Sequence, residues 1–326
     1  MVRKTIFLLL AAFVLSRFGL AAAQQSSKAH RIGLLISASD VIAPFTAAFR
    51  QGLRELGYVE KKDYILEIRS GSAATDRLFD LAAELVRMHV DVIVTVGSPA
   101  LKAAAKATST TPIVMRIGGD PVKAGLVASF ARPAGNITGL FARSVELSGK
   151  RLELLAEVAP GIKRAAVLTV SSNFEATNEY KDLESAARVL GVKLQILRAR
   201  DPDTIDSAFA AMSKDRAQAL VQIPHALYTQ HAARILNHAA KNRLPTIYSH
   251  GIDVENGGLL SYGVNYAAEY RRTAFYVDKT LKGAKPADLP VEQPTKFELV
   301  INLKTAKQLN LAIPPNVLAR ADRLIK

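Results

Sequence analysis

Residues 90–121, VDVIVTVGSPALKAAAKATSTTPIVMRIGGDP, decide the fold. They open with a run of Val and Ile at 90–96, continue with an alanine-rich segment at 98–107 and end with a second apolar run at 112–117. Continuous β-branched runs are typical of strands buried on both faces, and the alanine-rich segment between them predicts a helix. The stretch therefore predicts a strand–helix–strand unit within a parallel sheet that helices cover on both faces.

The same alternation of short apolar strands and amphipathic helices extends in both directions and then restarts. Before the opening unit we predict strands at 31–37 and 64–69 and helices at 45–56 and 78–86. After it we predict strands at 164–170, 193–198, 219–223, 245–248 and 258–262, and helices at 175–190, 204–212 and 228–242. The sequence thus predicts an α/β protein with two doubly wound parallel-sheet lobes.

The segments that join the two units predict a hinge. Residues 134–139, AGNITG, carry a strand signal between glycines. A helix at 267–281 follows the second unit, and after a stretch marked by three prolines at 286–294 comes a last strand at 297–303. Because a helix and a strand remain after the second unit is complete, we expect the chain to cross between lobes more than once.

Composition excludes several classes of protein. The chain has 326 residues, of which 49% are hydrophobic, which excludes a disordered chain and favours two domains. It has no Cys, which excludes disulfides, Cys-ligated metals, a thiol nucleophile and a lipoprotein anchor. The net charge is +14, but Lys and Arg are spread along the chain and no RNP or zinc-finger motif is present, so we expect no nucleic-acid partner.

Residues 1–23 have the pattern of a secretory signal peptide. Arg3 and Lys4 are followed by an apolar stretch at 6–15, and small residues at 21–23 predict cleavage near Ala23 and Gln24. The apolar stretch is too short to span a bilayer, although an uncut signal that anchors the chain is the alternative. We therefore expect an exported, periplasmic protein.

No pattern of catalytic or metal-binding residues is present. The sequence lacks G-x-S-x-G, H-E-x-x-H, Walker A and G-x-G-x-x-G motifs. His231 and His238 lie on one predicted helix, but a zinc site needs more ligands at proper spacing. We predict no enzyme, no metal and no cofactor.

The strongest binding signal comes from loops that follow the predicted parallel strands, because α/β sheets bind ligands at the carboxyl ends of their strands. Helix N-termini at these loops suit a ligand carboxylate, although each Ser, Asp or Asn there is alternatively a plain helix cap. The candidate ligand-binding residues are Ser37, Ser39, Asp40, Ser98, Pro99, Gly118 and Asp120 in the first unit and Ser172, Asn173, Phe174, His225, Tyr248 and Tyr262 in the second.

Five of these candidates carry specific alternatives. Asp120 lies in a Gly-Gly-Asp-Pro turn and either pairs with a ligand amine or caps the following helix. Phe174 follows a polar turn, which favours a pocket position, whereas ordinary strand packing is the alternative for Tyr248 and Tyr262. His225 follows the third strand of the second unit and would bind a carboxylate, with a solvated loop position as the alternative.

Several stretches also carry a family resemblance. They are FRQGLRELGYV at 49–59, VDVIVTVGSPA at 90–100, GDPVKAGL at 119–126, ARPAGNITG at 131–139, KRLELL at 150–155, GGLLSYG at 257–263 and the long stretch 279–323. In these stretches the chain resembles the bacterial ABC-transporter substrate-binding proteins that include the tryptophan- and tyrosine-type binding proteins. The resemblance implies a type I periplasmic-binding-protein fold with three hinge crossings and a ligand in the cleft. It places lobe one at 30–139 plus 266–296 and lobe two at 140–265 plus 297–326.

The implied function is that of a periplasmic receptor for an ABC importer. Its partners are a small carboxylate-bearing ligand, either an amino acid or an aromatic or organic acid, and an ABC permease in the inner membrane, and we expect a monomer. The chain departs from the family pattern at Ser171-Ser172-Asn173 and at Pro224-His225. A His in place of an acid favours a ligand richer in negative charge. A sensing module that reports to a membrane sensor is the alternative, and an enzyme is the third hypothesis.

Overall fold

The computed structural model describes residues 29–37, 42–71, 75–141, 147–293 and 297–326. These residues form a five-stranded and a seven-stranded sheet, each flanked by helices. No helix within these ranges combines the length and the apolar character needed to cross a membrane. The predicted signal peptide, Ser39 and Asp40 lie outside the described residues.

The first sheet is fully parallel, with strand order β2-β1-β3-β4-β5. Its strands are β1 (His30–Ile36), β2 (Tyr64–Ser70), β3 (Val92–Val96), β4 (Ile113–Ile117) and β5 (Ile137–Phe141). The early helices are α1 (Ile42–Glu55), α2 (Thr75–Arg87) and α3 (Ser98–Ala107). The sheet is covered on both faces, because separate hydrophobic clusters lie on either side of it.

The second unit begins with helix α4 (Ser148–Val158). The strands that follow it form the larger sheet, whose strand order is β12-β11-β10-β9-β8-β6-β7. They are β6 (Arg164–Thr169), β7 (Lys193–Arg198), β8 (Ala219–Gln222), β9 (Thr246–Tyr248), β10 (Leu260–Val264), β11 (Phe297–Asn302) and β12 (Arg323–Ile325). Only β11 runs antiparallel to its neighbour β10; β12 is again parallel to β11. The remaining helices are α5 (Asn178–Leu190), α6 (Pro202–Lys214), α7 (Ala226–Gln230), α8 (Ala232–Lys241), α9 (Gly251–Glu255), α10 (Tyr266–Leu281), α11 (Leu303–Gln308) and α12 (Pro315–Leu318).

Helix α10 follows the second unit in sequence but packs on the first sheet, against α1. The two helices approach closely at Gly52, where an added Cβ would lie 2.8 Å from the Cβ of Ala274 and 2.9 Å from the Cα of Arg271. The chain after α10 stays with the same sheet, since the Thr138 hydroxyl donates to the carbonyl of Leu289 at 2.6 Å. The first half therefore depends on residues from late in the chain.

The structure confirms the predicted α/β class with two doubly wound units, and both sheets contain the same five-strand order. Some elements differ in detail. The predicted helix at 228–242 breaks at His231, and the one at 175–190 begins as a 3₁₀ turn, Phe174–Ala176, because Thr177 caps the N–H of Tyr180. Strand β5 continues to Phe141, two residues beyond the predicted lobe boundary at 139. Helices α4, α9, α11 and α12 and strand β12 were not predicted.

Candidate functional site

In each sheet the strand order reverses between the first and third strands, so β1 and β3, and likewise β6 and β8, open a crevice at their carboxyl ends. The loops that follow these strands hold most of the predicted ligand-binding residues. The geometry of each loop shows which of their polar groups are already engaged within the protein.

Ser37 joins three elements of the first unit. Its hydroxyl donates to the carbonyl of Val96 at 3.0 Å and accepts from the N–H of Ala100 at 3.1 Å, which caps the start of α3. Gly97 has φ of 94°, and a Cβ there would lie 2.6 Å from the Ser37 hydroxyl oxygen. Ser37 is thus a structural cap whose hydroxyl is already used.

Ser98, Pro99 and Gly118 lie together where the loops after β3 and β4 meet. Ser98 and Pro99 begin α3, and a Cβ added at Gly119 would lie 3.2 Å from the Ser98 hydroxyl oxygen. Gly118 is exposed and Ser98 is partly exposed. These residues present a hydroxyl and backbone N–H groups at the N-terminus of a ten-residue helix, which suits an anionic group.

Asp120 caps the turn that follows β4. Its Oδ1 accepts from the N–H groups of Val122 at 2.9 Å and Lys123 at 3.0 Å. The structure therefore shows the capping contact, which is one of the two alternatives predicted for Asp120. Oδ2 is the oxygen that remains for a ligand.

The loop after β6 holds two exposed candidates and one buried candidate. Ser172 and Asn173 are exposed. Phe174, in contrast, is only 1% exposed and packs in the hydrophobic core, edge-on to Tyr180 with ring centroids 5.8 Å apart. The expectation that Phe174 occupies an open pocket position does not match this geometry, because the 3₁₀ turn directs the ring inward.

His225 caps helix α7. Its Nδ1 accepts from the N–H of Leu227 at 3.2 Å, and burial of the ring lowers its pKa. The imidazole is therefore neutral, with only Nε2–H left to donate. This removes the argument from His225 for a ligand richer in negative charge.

Tyr248 and Tyr262 pack as ordinary strand residues. Tyr248 is 1% exposed within the core of the larger sheet, and burial raises its pKa. Tyr262 is partly buried beside Phe297, with ring centroids 6.0 Å apart. Neither ring is an open aromatic wall in this structure.

A second polar region, which sequence reasoning missed, lies where the two halves meet. We call Arg116, Arg151, His250, Tyr266 and Glu269 the junction cluster. Arg116, near the end of β4, donates from Nε and Nη2 to Oε2 of Glu269 at 2.9 and 2.6 Å, and its guanidinium lies 4.0 Å from the Tyr266 ring centroid. The Tyr266 hydroxyl contacts Nε2 of His250 at 2.8 Å. This contact links the loop after β9 to the first residue of α10.

Arg151 is the most deeply buried charge of the cluster, with 0% exposure. Its Nε donates to the Tyr262 carbonyl at 2.8 Å and its Nη1 lies 3.5 Å from the Ser148 hydroxyl, which donates to Glu179 at 2.7 Å. Its Nη2 has no hydrogen-bond partner among the described residues. Burial lowers the pKa of Arg151 to about 10 and raises the pKa of Glu179.

Burial shifts the pKa values of His250 and Asp253 in opposite directions. Burial, with Arg116 and Arg151 nearby, lowers the pKa of His250 to about 3, and burial raises the pKa of Asp253 to about 7. Nδ1 of His250 lies 3.8 Å from the Asp253 carboxylate. At pH 6 the imidazole is neutral and the carboxyl holds the proton. The available sequence signal is Arg116, the one charged residue in the otherwise apolar strand IVMRI of β4; Arg151, in the mixed sequence SGKRLELLAEV of α4, carries no such signal.

The arrangement offers groups that suit the binding of a small polar molecule. Across the ranges that the structure describes, no three His, Asp or Glu side chains converge as a metal ion requires. The site instead offers helix N-terminal N–H groups, hydroxyls and buried cations, which recognise a small polar molecule.

Comparison with known proteins identifies the family. The family profile described as ABC transporter substrate binding protein matches residues 38–325. The chain belongs to this family. The resemblance carried by the sequence motifs is thereby confirmed, and the family is one of substrate-binding proteins, a non-enzyme class.

Individual relatives agree with this assignment. The chain is 25% identical over 264 residues to a tyrosine-binding protein of Clostridioides difficile, which covers 81% of this chain and 75% of the relative. It is similar to the ABC domain from Streptococcus pneumoniae solved in complex with L-Trp, at 25% identity and a TM-score of 0.80, covering 91% of this chain and 100% of that one. A conserved domain protein from Vibrio cholerae gives 26% identity, a TM-score of 0.80 and the same coverage.

Proposed function

We propose that this family member is an exported receptor that captures an amino acid between two lobes and delivers it to an ABC permease in the inner membrane. The observation that carries the proposal is the agreement of two relatives. One is described as tyrosine-binding and the other was solved with L-Trp. An amino acid with an aromatic side chain is accordingly the first ligand to test.

The lobes in this proposal are 30–139 plus 266–296 and 140–265 plus 297–326. Two contacts support the division. Helix α10 packs on α1 of the first sheet, and β11 pairs with β10 of the second. The chain then crosses between the lobes three times, and such crossings form a hinge. A ligand that contacts both lobes stabilises the closed form and shifts an existing equilibrium toward it.

The ligand-binding groups in this proposal are those that remain accessible after the internal caps are made. In the first lobe, the N-terminus of α3 at Ser98 suits the ligand carboxylate, and Oδ2 of Asp120 suits its ammonium group. In the second lobe, Ser172, Asn173 and His225 are exposed residues of the corresponding loops, and Nδ1 of His225 is already used by the N–H of Leu227. An amino acid has both the carboxylate and the ammonium group that these contacts require.

Calorimetry on the mature chain beginning at Gln24 tests the ligand. L-Trp and L-Tyr are titrated beside tryptamine, which lacks the carboxylate, and indole-3-propionate, which lacks the amine. We expect the amino acids to bind and each truncated analogue to bind more weakly. At 100 times its dissociation constant a ligand adds roughly 2.7 kcal/mol to the free energy of unfolding, which a thermal melt resolves. Binding of no amino acid would overturn the proposal, and consumption of the ligand would indicate an enzyme.

Two further measurements test export and closure. Mass spectrometry of the protein recovered from the periplasm is expected to show an N-terminus near Gln24, whereas an intact Met1 in the membrane fraction would contradict export. Small-angle scattering is expected to show a smaller radius of gyration when the amino acid is bound. An unchanged radius with saturated ligand would contradict closure of the lobes.

A further inference from the structure

A cavity lies in the second unit between α8 and α11, away from the loops that hold the predicted ligand-binding residues. Leu244, which precedes β9, and Leu259, which precedes β10, line it, so it adjoins the amino ends of these parallel strands. The proposed amino-acid cleft lies at the carboxyl ends. Of the predicted ligand-binding residues only Tyr248 lines the cavity, and at 1% exposure it belongs to the closed floor. We call this space the basal cavity.

The basal cavity is large enough for a small ring. Its volume is about 270 Å³. Apolar cavities of about 150 Å³ already bind benzene. Leu236 and Ala240 of α8 line one wall, and Leu309, just beyond α11, lines another. All three side chains are partly or fully exposed, so an entering molecule can reach them. The walls thus offer an apolar surface that a ring can cover.

Arg243 and Gln308 bring hydrogen-bond donors to the mouth of the basal cavity, and both are exposed. Nη2 of Arg243 donates to the backbone carbonyl of Gln308 at 3.0 Å, which holds the guanidinium between the ends of α8 and α11. Within the described part of the chain, no carboxylate pairs with Arg243, and the Gln308 carboxamide makes no hydrogen bond. Nε and Nη1 of Arg243 are therefore left to donate, and a guanidinium forms its strongest hydrogen bonds with anions.

The chain segments that form these walls are basic. Residues 232–244 and 303–309 contain five Lys and Arg residues and no Asp or Glu. Asp206 of α6 pairs with one of them, Arg234. The other four have no acidic partner among the residues that the structure describes: Lys241, Arg243, Lys304 and Lys307. The potential at the mouth is therefore positive, which attracts an anion and repels a cation.

We propose that the basal cavity binds a small monocarboxylate whose apolar body is about the size of a benzene ring. The carboxylate accepts from the remaining N–H groups of Arg243, and the ring packs against Leu236, Ala240 and Leu309. This site is separate from the amino-acid cleft and goes beyond the proposed function. Its occupant contacts both α8 and α11, so it holds the segment after β11 onto the rest of the unit. By mass action the occupant raises the free energy of unfolding.

Calorimetry with sodium benzoate tests the site on the mature chain beginning at Gln24, with benzylammonium chloride as the probe of opposite charge. We expect benzoate to bind and benzylammonium not to bind. Arg243→Gln should weaken benzoate binding by about tenfold, which corresponds to about 1.4 kcal/mol. The matched control is Arg216→Gln, which should bind as the unmodified chain does. Arg216 is also exposed and follows the end of a helix with φ of 53°, against 49° for Arg243, but it does not line the cavity.

A second pair of variants tests the position of the ring independently of charge. Ala240→Leu adds side-chain volume at the wall of the cavity and should weaken benzoate binding by at least tenfold. Ala233→Leu lies at an exposed position of the same helix that does not line the cavity, and it should bind benzoate as the unmodified chain does. Because both alanines are exposed, neither change disturbs the core. A thermal melt of each variant establishes that it is folded before titration.

The outcomes separate this proposal from the preceding one. Absence of heat with benzoate at millimolar concentration, or equal binding of benzylammonium, would overturn the basal site. Unchanged benzoate binding in both Arg243→Gln and Ala240→Leu would also overturn it, because the benzoate would then be bound elsewhere on the chain. L-Trp is titrated into the same two variants, and its affinity is expected to equal that of the unmodified chain. A failure of L-Trp to bind any of these proteins concerns the amino-acid cleft alone.

Discussion

The loops at the strand ends and the junction cluster satisfy their polar groups in opposite ways. In the loops, Ser37, Asp120 and His225 bond to backbone groups within a few residues of a helix or turn start. In the cluster, Arg151 and Glu269 are buried with one atom each left without a hydrogen-bond partner among the described residues. A loop residue stays in contact with water, so replacing it costs the protein little free energy of unfolding. Loss of a buried partner in the cluster is therefore expected to cost more stability than loss of a cap in the loops.

The largest expected effect comes from Arg116→Met. This change leaves Glu269 buried without its cation, and breaking a buried pair in this way costs roughly 3–5 kcal/mol. The matched control is Arg50→Met, which removes an ion pair with Glu60 at the surface and should cost less than about 1 kcal/mol. Urea unfolding measures both variants. Equal losses in the two would show that the cluster is no more important to stability than a surface pair.

The next largest effect is a pH dependence of stability that is expected only when one member of the pair formed by His250 and Asp253 is replaced. Near pH 5.5 the folded protein holds one proton on Asp253 and none on His250, whereas the unfolded chain holds one on His250 and none on Asp253. Since the folded and unfolded states bind equal numbers of protons at this pair, its contributions cancel. We expect the pair to add little slope to the free energy of unfolding between pH 4.5 and 6.

Single substitutions separate the two contributions. In Asp253→Asn only the lowered pKa of His250 remains, so stability should fall as the pH is reduced from 6.5 toward 3. In His250→Gln only the raised pKa of Asp253 remains, so stability should fall as the pH rises from 4 toward 7. Each slope reaches about 1.4 kcal/mol per pH unit at most. Parallel profiles in the two variants would contradict the opposite shifts.

A smaller effect is expected in the loops. Ser37→Ala removes the cap from α3 and should cost about 1 kcal/mol in the free energy of unfolding. Ser172→Ala, at an exposed position in the corresponding loop of the other sheet, should stay within about 0.5 kcal/mol. Thermal or urea unfolding distinguishes these outcomes. A loss at Ser172 as large as that at Ser37 would refute the distinction between capped and accessible loop residues.

Asp120→Asn is expected to leave stability almost unchanged, because Asn caps a turn about as well as Asp does. Its effect should appear in affinity, since a charge-assisted hydrogen bond to a ligand ammonium contributes roughly 1.5–3 kcal/mol, or about tenfold or more. Calorimetry with L-Trp measures this loss, and Asp120→Ala is the companion that loses both cap and charge. If L-Trp binds Asp120→Asn as tightly as it binds the unmodified chain, Asp120 is a cap alone.

The fold was more predictable than the site for a physical reason. A buried strand such as Val92–Val96 can be predicted from its own residues, because burial on both faces requires a continuous apolar run. The short edge strand Arg323–Ile325 has no such run and was missed. Arg116 and Glu269 lie 153 positions apart in the sequence, so no local sequence pattern predicts that they pair.

The loop residues show a different limit of sequence reasoning. A Ser or Asp before a helix accepts a backbone N–H whether or not a ligand is also bound, so the same residue types predict both roles. The structure shows the capping role for Ser37 and for Asp120. Phe174 was misjudged because a 3₁₀ turn, which its sequence does not reveal, directs the ring into the core.

The placement of α10 on α1 has a consequence for the order of folding during synthesis. While the first sheet emerges from the ribosome, the face of α1 that carries Phe49 and Leu53 has no covering helix, because that helix is Tyr266–Leu281. The second sheet is likewise incomplete until its edge strands, which come from residues 297–326, have been synthesised. Neither half can close its core on a nascent chain, although domains commonly fold as they emerge. The interleaved topology is therefore expected to delay completion of both cores until synthesis is nearly complete.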